Sequence, residues 1–304
     1  LAGLKFKIDF NPFGVLYNPA SISKSIETLI ENKVFTDEDV QFANERWFSF
    51  YHHSDFSHWD KDKCLEQINS KISISHESLK TADYLFITLG SSWVFKLKKN
   101  NRVVSNCHKL PADEFTHQRL NVEDTSSTLQ SSLDKLHEFN PKLKTIFTVS
   151  PIRHWKDGAH GNQLSKAGLL LAIDEIQTRD KSVGYFPSYE IMMDELRDYR
   201  FYDSDMLHIN PVAVDYIFER FGDSYFSDET KQLNRDIDKI VKASMHKVFN
   251  PNSLSYVKFI QANLRSVEQL EKRNNNLQLH TEKEHFKTEM KSLALYHETN
   301  NYHT

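Results

Sequence analysis

Hydrophobic residues recur along this chain in three rhythms, and each predicts a different element. Residues 5–10, KFKIDF, alternate Phe6, Ile8 and Phe10 with polar neighbours and run into Asn-Pro-Phe-Gly, which predicts a strand closed by a turn. Helical spacing follows. Ile22, Ile26, Leu29 and Ile30 come after Ser21, and Leu65, Ile68, Ile72 and Leu79 repeat the pattern. The aromatic stretch between them, RWFSFYHHSDFSHW, fits neither period; it reads either as packed core or as a pocket wall carrying His52 or His53. Two short apolar runs, ADYLFITLG at 82–90 and KTIFTVSP at 144–151, predict buried parallel strands. Between them RVVSNCHKLP predicts a small extra strand, and Leu129, Leu133 and Leu136 mark one face of a helix over 125–139. NQLSKAGLLLAIDEIQ at 162–177 predicts a helix and VGYFPS at 183–188 a further strand.

Strands alternating with helices imply a parallel sheet covered on both faces, so a doubly wound α/β domain is expected over residues 1–225. Residues 226–304 change character. Long charged runs with scattered Ile, Val, Leu and Phe and a single Pro at position 251 predict a helical extension. Its last part, LRSVEQLEKRNNNLQLHTEKEHFKTEMKSLALYH, is compatible with a coiled-coil-like arm, although no heptad register persists. A peripheral appendage with a polar end is the favoured expectation.

Composition narrows the function classes. At 304 residues and 39% hydrophobic, the chain has enough apolar surface for a large core. Its 38 basic against 42 acidic residues leave a formal charge of −4, which supplies no whole-molecule attraction for nucleic acid or anionic membranes and leaves only local patches. Cys64 and Cys107 cannot build a disulfide framework and neither belongs to a CxxC pair, so a reducing, cytoplasmic setting is expected. No run approaches the roughly 18 apolar residues that a bilayer span needs.

In a parallel sheet the ligand side is where strands end and their loops converge. Asn11 and Gly14 close the first expected strand, Gly90-Ser91-Ser92-Trp93 the second, and Ser150 with Arg153 and His154 the third. The last sheet region leads into RDYRFYDSDMLHINP. There Asn210 suits an N-cap and Pro211 a first helical residue, predicting a helix with Val212, Tyr216, Ile217 and Phe221 toward the core. His208 stands just before that helix. Asp205, three residues earlier, can accept the Nδ1 proton and leave Nε2 free as a base. Alone, Asp-x-x-His is a weak motif.

Longer segments add to it. NPFGVLYNP, TLGSSWVF, NCHKLP, TVSPIRHWKDG, SKAGLLLAI, YFPSYEIMMDELRDYRFY and DMLHINP occur in the order and near the spacing of the GSCFA-domain family, which the chain resembles over about residues 8–221. That family is similar to the SGNH/GDSL hydrolases. The resemblance implies a three-layer α/β/α flavodoxin-like sandwich with a parallel sheet. It also implies an SGNH-like serine hydrolase or acyltransferase acting on a small-molecule or glycan O-acyl ester, with no metal and no cofactor. Asp205 and His208 match the catalytic acid and histidine. Gly14 lies where a glycine amide would join an oxyanion hole, and equally suits a tight turn. Gly90 and Ser92 lie where many SGNH enzymes have Gly-x-Asn-Asp, with Ser92 in place of the asparagine; Asn106 is the substitute amide. His108, Arg153 and His154 are expected to hold an anionic or sugar substrate.

One departure carries weight. The name-giving Gly-Ser-Cys-Phe-Ala segment, whose serine corresponds to the SGNH nucleophile, does not occur in these residues. Since NPFGVLYNP follows that segment in the family and begins here at residue 11, the first strand, nucleophile turn and most of the first helix are expected to precede Leu1. Blander readings stand beside these. Ser91, Ser92 and Ser150 suit turn capping better than nucleophilic attack. Arg153 and His154 can pair with Asp157, and Cys107 with His108 gives poor tetrahedral geometry for a metal. A non-catalytic binding protein on the same fold is the alternative function, and a metal-dependent phosphoesterase a weaker third.

Overall fold

The structure is a computed structural model that describes residues 2–300, with side chains over residues 3–294. Two compact units emerge, Asp9–Arg220 and the first eight residues together with the chain from Phe221 onward.

In the larger unit Asn18 caps α1 (Pro19–Ile30) by accepting from the Ser21 amide, with Pro19 in the first turn. A two-stranded hairpin, β1 (Gln41–Ala43) and β2 (Arg46–Phe48), resolves the aromatic stretch and pairs Phe42 with Trp47. Asp60 caps α2 (Lys61–Thr81). The parallel sheet is formed by β3 (Tyr84–Leu89), β7 (Lys144–Val149) and β8 (Gly184–Phe186) in the order β3-β7-β8. Between β3 and β7 the chain builds an antiparallel sheet from β4 (Trp93–Leu97), β5 (Val103–Val104) and β6 (Phe115–Arg119), of which sequence spacing indicates only the middle piece. Helices α3 (Val122–Phe139) and α4 (Gly158–Arg179) follow their strands, and the short α5 (Ser188–Glu190) runs into a π-helical turn at Ile191–Glu195. The class is therefore α/β, a parallel sheet flanked by helices as in a three-layer α/β/α fold.

The core explains the helix phases. Ile22, Ile26 and Leu29 of α1, Ile68 and Ile72 of α2, Leu129, Leu133 and Leu136 of α3, and Leu169, Ile173 and Ile176 of α4 bury together against Ile87, Leu89, Phe147 and Val149. Each set repeats at three- and four-residue intervals, so one stripe of each helix reaches the sheet.

Two expectations are corrected in detail. Residues 7–10 form no strand, and Phe6 makes only an isolated antiparallel bridge to Leu277. Alternation alone cannot make a strand without a neighbour to satisfy its backbone. Along β3, Tyr84, Phe86 and Thr88 are exposed while Ile87 and Leu89 are buried. β3 is also an edge, with no strand beyond it among the described residues. Val212, expected in the core, is exposed, and Ala213 is the buried residue of the first turn of α6 (Pro211–Tyr225).

The smaller unit has a core of its own. α7 (Asp228–Ser244), α8 (Leu254–Arg273) and α9 (His280–Asn300) enclose their own core of Ile237, Ile240, Ile260, Val267, Leu270, Leu279 and Phe286. Lys5 joins it through a 2.6 Å ion pair to buried Glu282. No helix among the described residues is long and apolar enough to cross a membrane.

Candidate active site

Polar side chains gather at the C-terminal ends of β3 and β7. The centre of this rim is Lys166, one of the largest fully buried side chains of the chain. Its Nζ donates to the carbonyl of Gly90, just after β3, and to that of Ser150, just after β7, both at 2.6 Å. No carboxylate among the described residues pairs with it. Burial pushes the ammonium down to about 7, against the two carbonyl acceptors, which favour the charged form.

Beside it the preceding residue, Ser165, anchors the Gly90-Ser91-Ser92 turn. Its Oγ accepts from the Ser92 amide at 2.8 Å and the Ser92 hydroxyl at 3.1 Å, and meets Ser91 Oγ at 3.3 Å. Ser92 is thus buried and committed to α4. The amides of Gly90 and Ser91 both donate to the carbonyl of Tyr17, at 2.8 and 3.0 Å. Gly90 allows a close approach: a Cβ there would stand 3.1 Å from His154 Nε2 and 3.3 Å from Tyr17, so those side chains would have to give way.

His154 therefore sits directly over the end of β3, edge-on to Tyr17, with its amide held by Asn162 Oδ1 at 3.0 Å. Burial, and secondarily the Lys166 charge, lower its ring to about 4, so it is a neutral imidazole at ordinary pH. Its neighbour Arg153 turns the other way. The guanidinium donates to Tyr202 Oη at 3.0 Å, stacks over that ring, and approaches the carbonyl of Met206. With Met192, Met193, Arg197, Asp198 and Tyr199 these groups enclose a small cavity of about 180 Å³. Asp157 pairs with neither Arg153 nor His154; it faces His117 at 3.5 Å.

Met206 lies inside the loop that holds the acid–histidine pair. His208 Nδ1 and Asp205 Oδ2 are 2.5 Å apart, and Asp205 Oδ1 accepts the amides of Leu207 and His208 at 2.8 and 2.9 Å. The His208 side-chain bond first, and those amides next, hold the Asp205 carboxyl at about 2. Both side chains are exposed. The loop is closed by Asp203 N donating to His208 O, by Met206 in the left-handed region at φ 59°, and by Asn210. Asn210 caps α6 through Ala213 N and donates Nδ2 to Arg200 O at 2.6 Å.

Gly14, Asn106 and His108 form a different group around residues 49–53. Gly14 needs its φ of 77°, since a Cβ would fall 2.2 Å from His53 Cβ, and its amide is already donated to Asn11 O. His108 Nε2 meets Ser49 O at 2.9 Å and the ring stacks on Phe48, while Asn106 Oδ1 accepts the His108 amide. Nothing among the described residues hydrogen-bonds this group to the Asp205–His208 loop. A larger depression of about 410 Å³ on the antiparallel sheet, beside Phe50 and Arg102, contains none of these residues.

Sequence reasoning passes over Lys166, Ser165, Asn162, Tyr17 and Tyr202. A signal for the first three exists: Asn162, Ser165 and Lys166 continue the buried stripe of Leu169, Ile173 and Ile176 toward the helix N-terminus, so a polar patch sits on the inward face.

Two family models match the chain, one described as the GSCFA family over residues 1–221 and one as the GSCFA domain protein, C-terminal domain, over residues 237–292. No curated protein and no solved structure matches.

Proposed function

This chain belongs to the GSCFA family, and from that premise we propose that its rim is the acid–base half of an SGNH-like serine hydrolase or acyltransferase acting on an ester or O-acyl group, glycan-linked esters included. The observation that carries the reading is the 2.5 Å pairing of Asp205 with His208, reinforced by two amides on the same carboxylate. Such a carboxylate fixes the tautomer, so Nε2 is the free base and Asp205 stabilises the imidazolium that forms. His208 would take the proton of a serine hydroxyl as it attacks the acyl carbon, then return it to the leaving alcohol.

The attacking hydroxyl is assigned to none of Ser91, Ser92 and Ser150. The first two are engaged with Ser165, and Ser150 Oγ accepts the Ile152 amide at 3.2 Å. The reading rests on the acid–base pair and leaves the attacking hydroxyl unassigned among the described residues. Oxyanion stabilisation falls to groups not already spent: the neutral His154 ring remains, whereas the amides of Gly14, Gly90 and Ser92 are donated within the fold and Asn106 belongs to the separate group at residues 49–53. Arg153 would meet an anionic or sugar group beside the Tyr202 cavity.

Non-catalytic binding is the second reading, favoured by the exposure of both members of the pair. A fluorophosphonate probe applied to the protein as its gene encodes it separates the two. Covalent labelling of a serine that disappears in His208→Ala is expected. A folded protein that resists labelling, or labels equally in the variant, sinks the hydrolase reading.

A further inference from the structure

The net charge of the chain is negative, yet one stretch reverses it. Between Asp238 and Glu268 the chain carries Lys239, Lys242, Lys247, Lys258, Arg265 and His246 and no carboxylate. This stretch is the end of α7, the turn at residues 245–253 and most of α8. The turn also exposes apolar side chains. Phe249 is fully exposed at 104%, and Met245 and Leu254 are 75% and 73% exposed, although each helix buries its other face in the three-helix core. A large aromatic and two aliphatic groups presented together at one turn are not explained by packing within this unit.

The charges around them are largely available. Lys247 and Lys258 are exposed and have no partner among the described residues. Lys242 pairs with Asp238 at 2.7 Å and Lys239 with Asp236 at 3.1 Å, exposed helical pairs of little strength. Glu289 of α9 is the carboxylate bound near the start of α8, where it accepts from Tyr256 Oη at 2.9 Å.

We propose that the α7–α8 turn docks the protein on an anionic lipid surface, with Phe249, Met245 and Leu254 entering the headgroup–acyl boundary and the flanking lysines resting on lipid phosphates. Two features favour a bilayer over an acidic protein. The apolar groups are exposed at a turn, and the surrounding polar residues, Asn250, Asn252, Ser253 and Ser255, are uncharged. Apolar insertion combined with basic attraction is the pattern of interfacial anchoring, and each basic residue near such a surface contributes about 1 kcal/mol, or roughly fivefold in partitioning.

Co-sedimentation of the full chain with vesicles of phosphatidylcholine, with and without phosphatidylserine, tests this at low and high salt. Binding only to the phosphatidylserine vesicles is expected, falling as salt rises. Phe249→Ser with Leu254→Ser should abolish it, and Lys247→Glu with Lys258→Glu should weaken it more than tenfold, while Lys181→Glu in the other unit leaves it unchanged. Circular dichroism is the check that these surface variants fold. Failure to sediment, equal binding to both vesicle types, or binding that survives the tip variants overturns the proposal. So does polyglutamate binding that is indifferent to Phe249 and stronger than vesicle binding, which marks an acidic protein partner instead.

Discussion

The floor of the rim and the loop above it are both built from polar side chains, and they hold them in opposite ways. Lys166, Ser165 and Ser92 are buried and satisfied by groups far away in sequence, just past the ends of β3 and β7 and on α4. Asp205 and His208 are exposed and satisfied by each other and by amides up to three residues away. Burial turns the first set into determinants of stability whose protonation the fold dictates. Local bonding leaves the second set close to water, oriented but free to exchange protons, as acid–base work requires. On the proposed function, the difference separates residues that would hold the site from residues that would act in it.

The largest expected effect falls on the loop. In the protein as its gene encodes it, Asp205→Asn should lower esterase turnover by about 10³–10⁴-fold while leaving the thermal midpoint near wild type, because an asparagine stabilises neither the tautomer nor the imidazolium. Equal losses of activity and stability would erase the contrast.

Lys166 supplies the next test. A lysine lowered in the folded state binds fewer protons there than in the unfolded chain between about pH 7 and its ordinary 10.5. Stability should therefore rise as pH increases through that window, by at most about 1.4 kcal/mol per pH unit. Below pH 7 both states carry the proton and the slope vanishes. Urea denaturation across the window should show this rise in wild type and not in Lys166→Met. In the same variant, loss of the nearby positive charge should raise the His154 titration, read by NMR of the imidazole carbons.

Smaller effects sharpen the boundary between the regions. Ser165→Ala leaves the buried Ser92 amide without its acceptor and should cost about 1–3 kcal/mol in denaturant unfolding. Asn210→Ala removes the α6 cap and the bond to Arg200 O and should cost about 1 kcal/mol. It should also loosen His208, seen as faster amide exchange at residues 205–208.

What can be read from the chain beforehand follows the same division. The Asp205–His208 pair and the Asn210-Pro211 helix start are legible because their partners lie within three residues. The helices are legible because one stripe of each faces a single core. Lys166 is not, because a lysine inside SKAGLLLAI reads as a solvated position unless the ends of β3 and β7 are already known to meet beneath it. The antiparallel β4-β5-β6 sheet is half hidden, since Phe115–Arg119 alternates too weakly to announce a strand and is fixed by pairing with Trp93–Leu97. At residues 5–10 the period of two is clear and the strand still does not form, because a period says which side chains align and nothing about whether a neighbour is present.

The open flank of β3 has a practical corollary for anyone who handles this chain. Along Tyr84–Leu89 the main chain has no ladder on its outer side among the described residues. Such a margin accepts whatever extended polypeptide reaches it first, including an identical molecule. Dilution and a short competing peptide are thus controls that belong in every solution measurement on it.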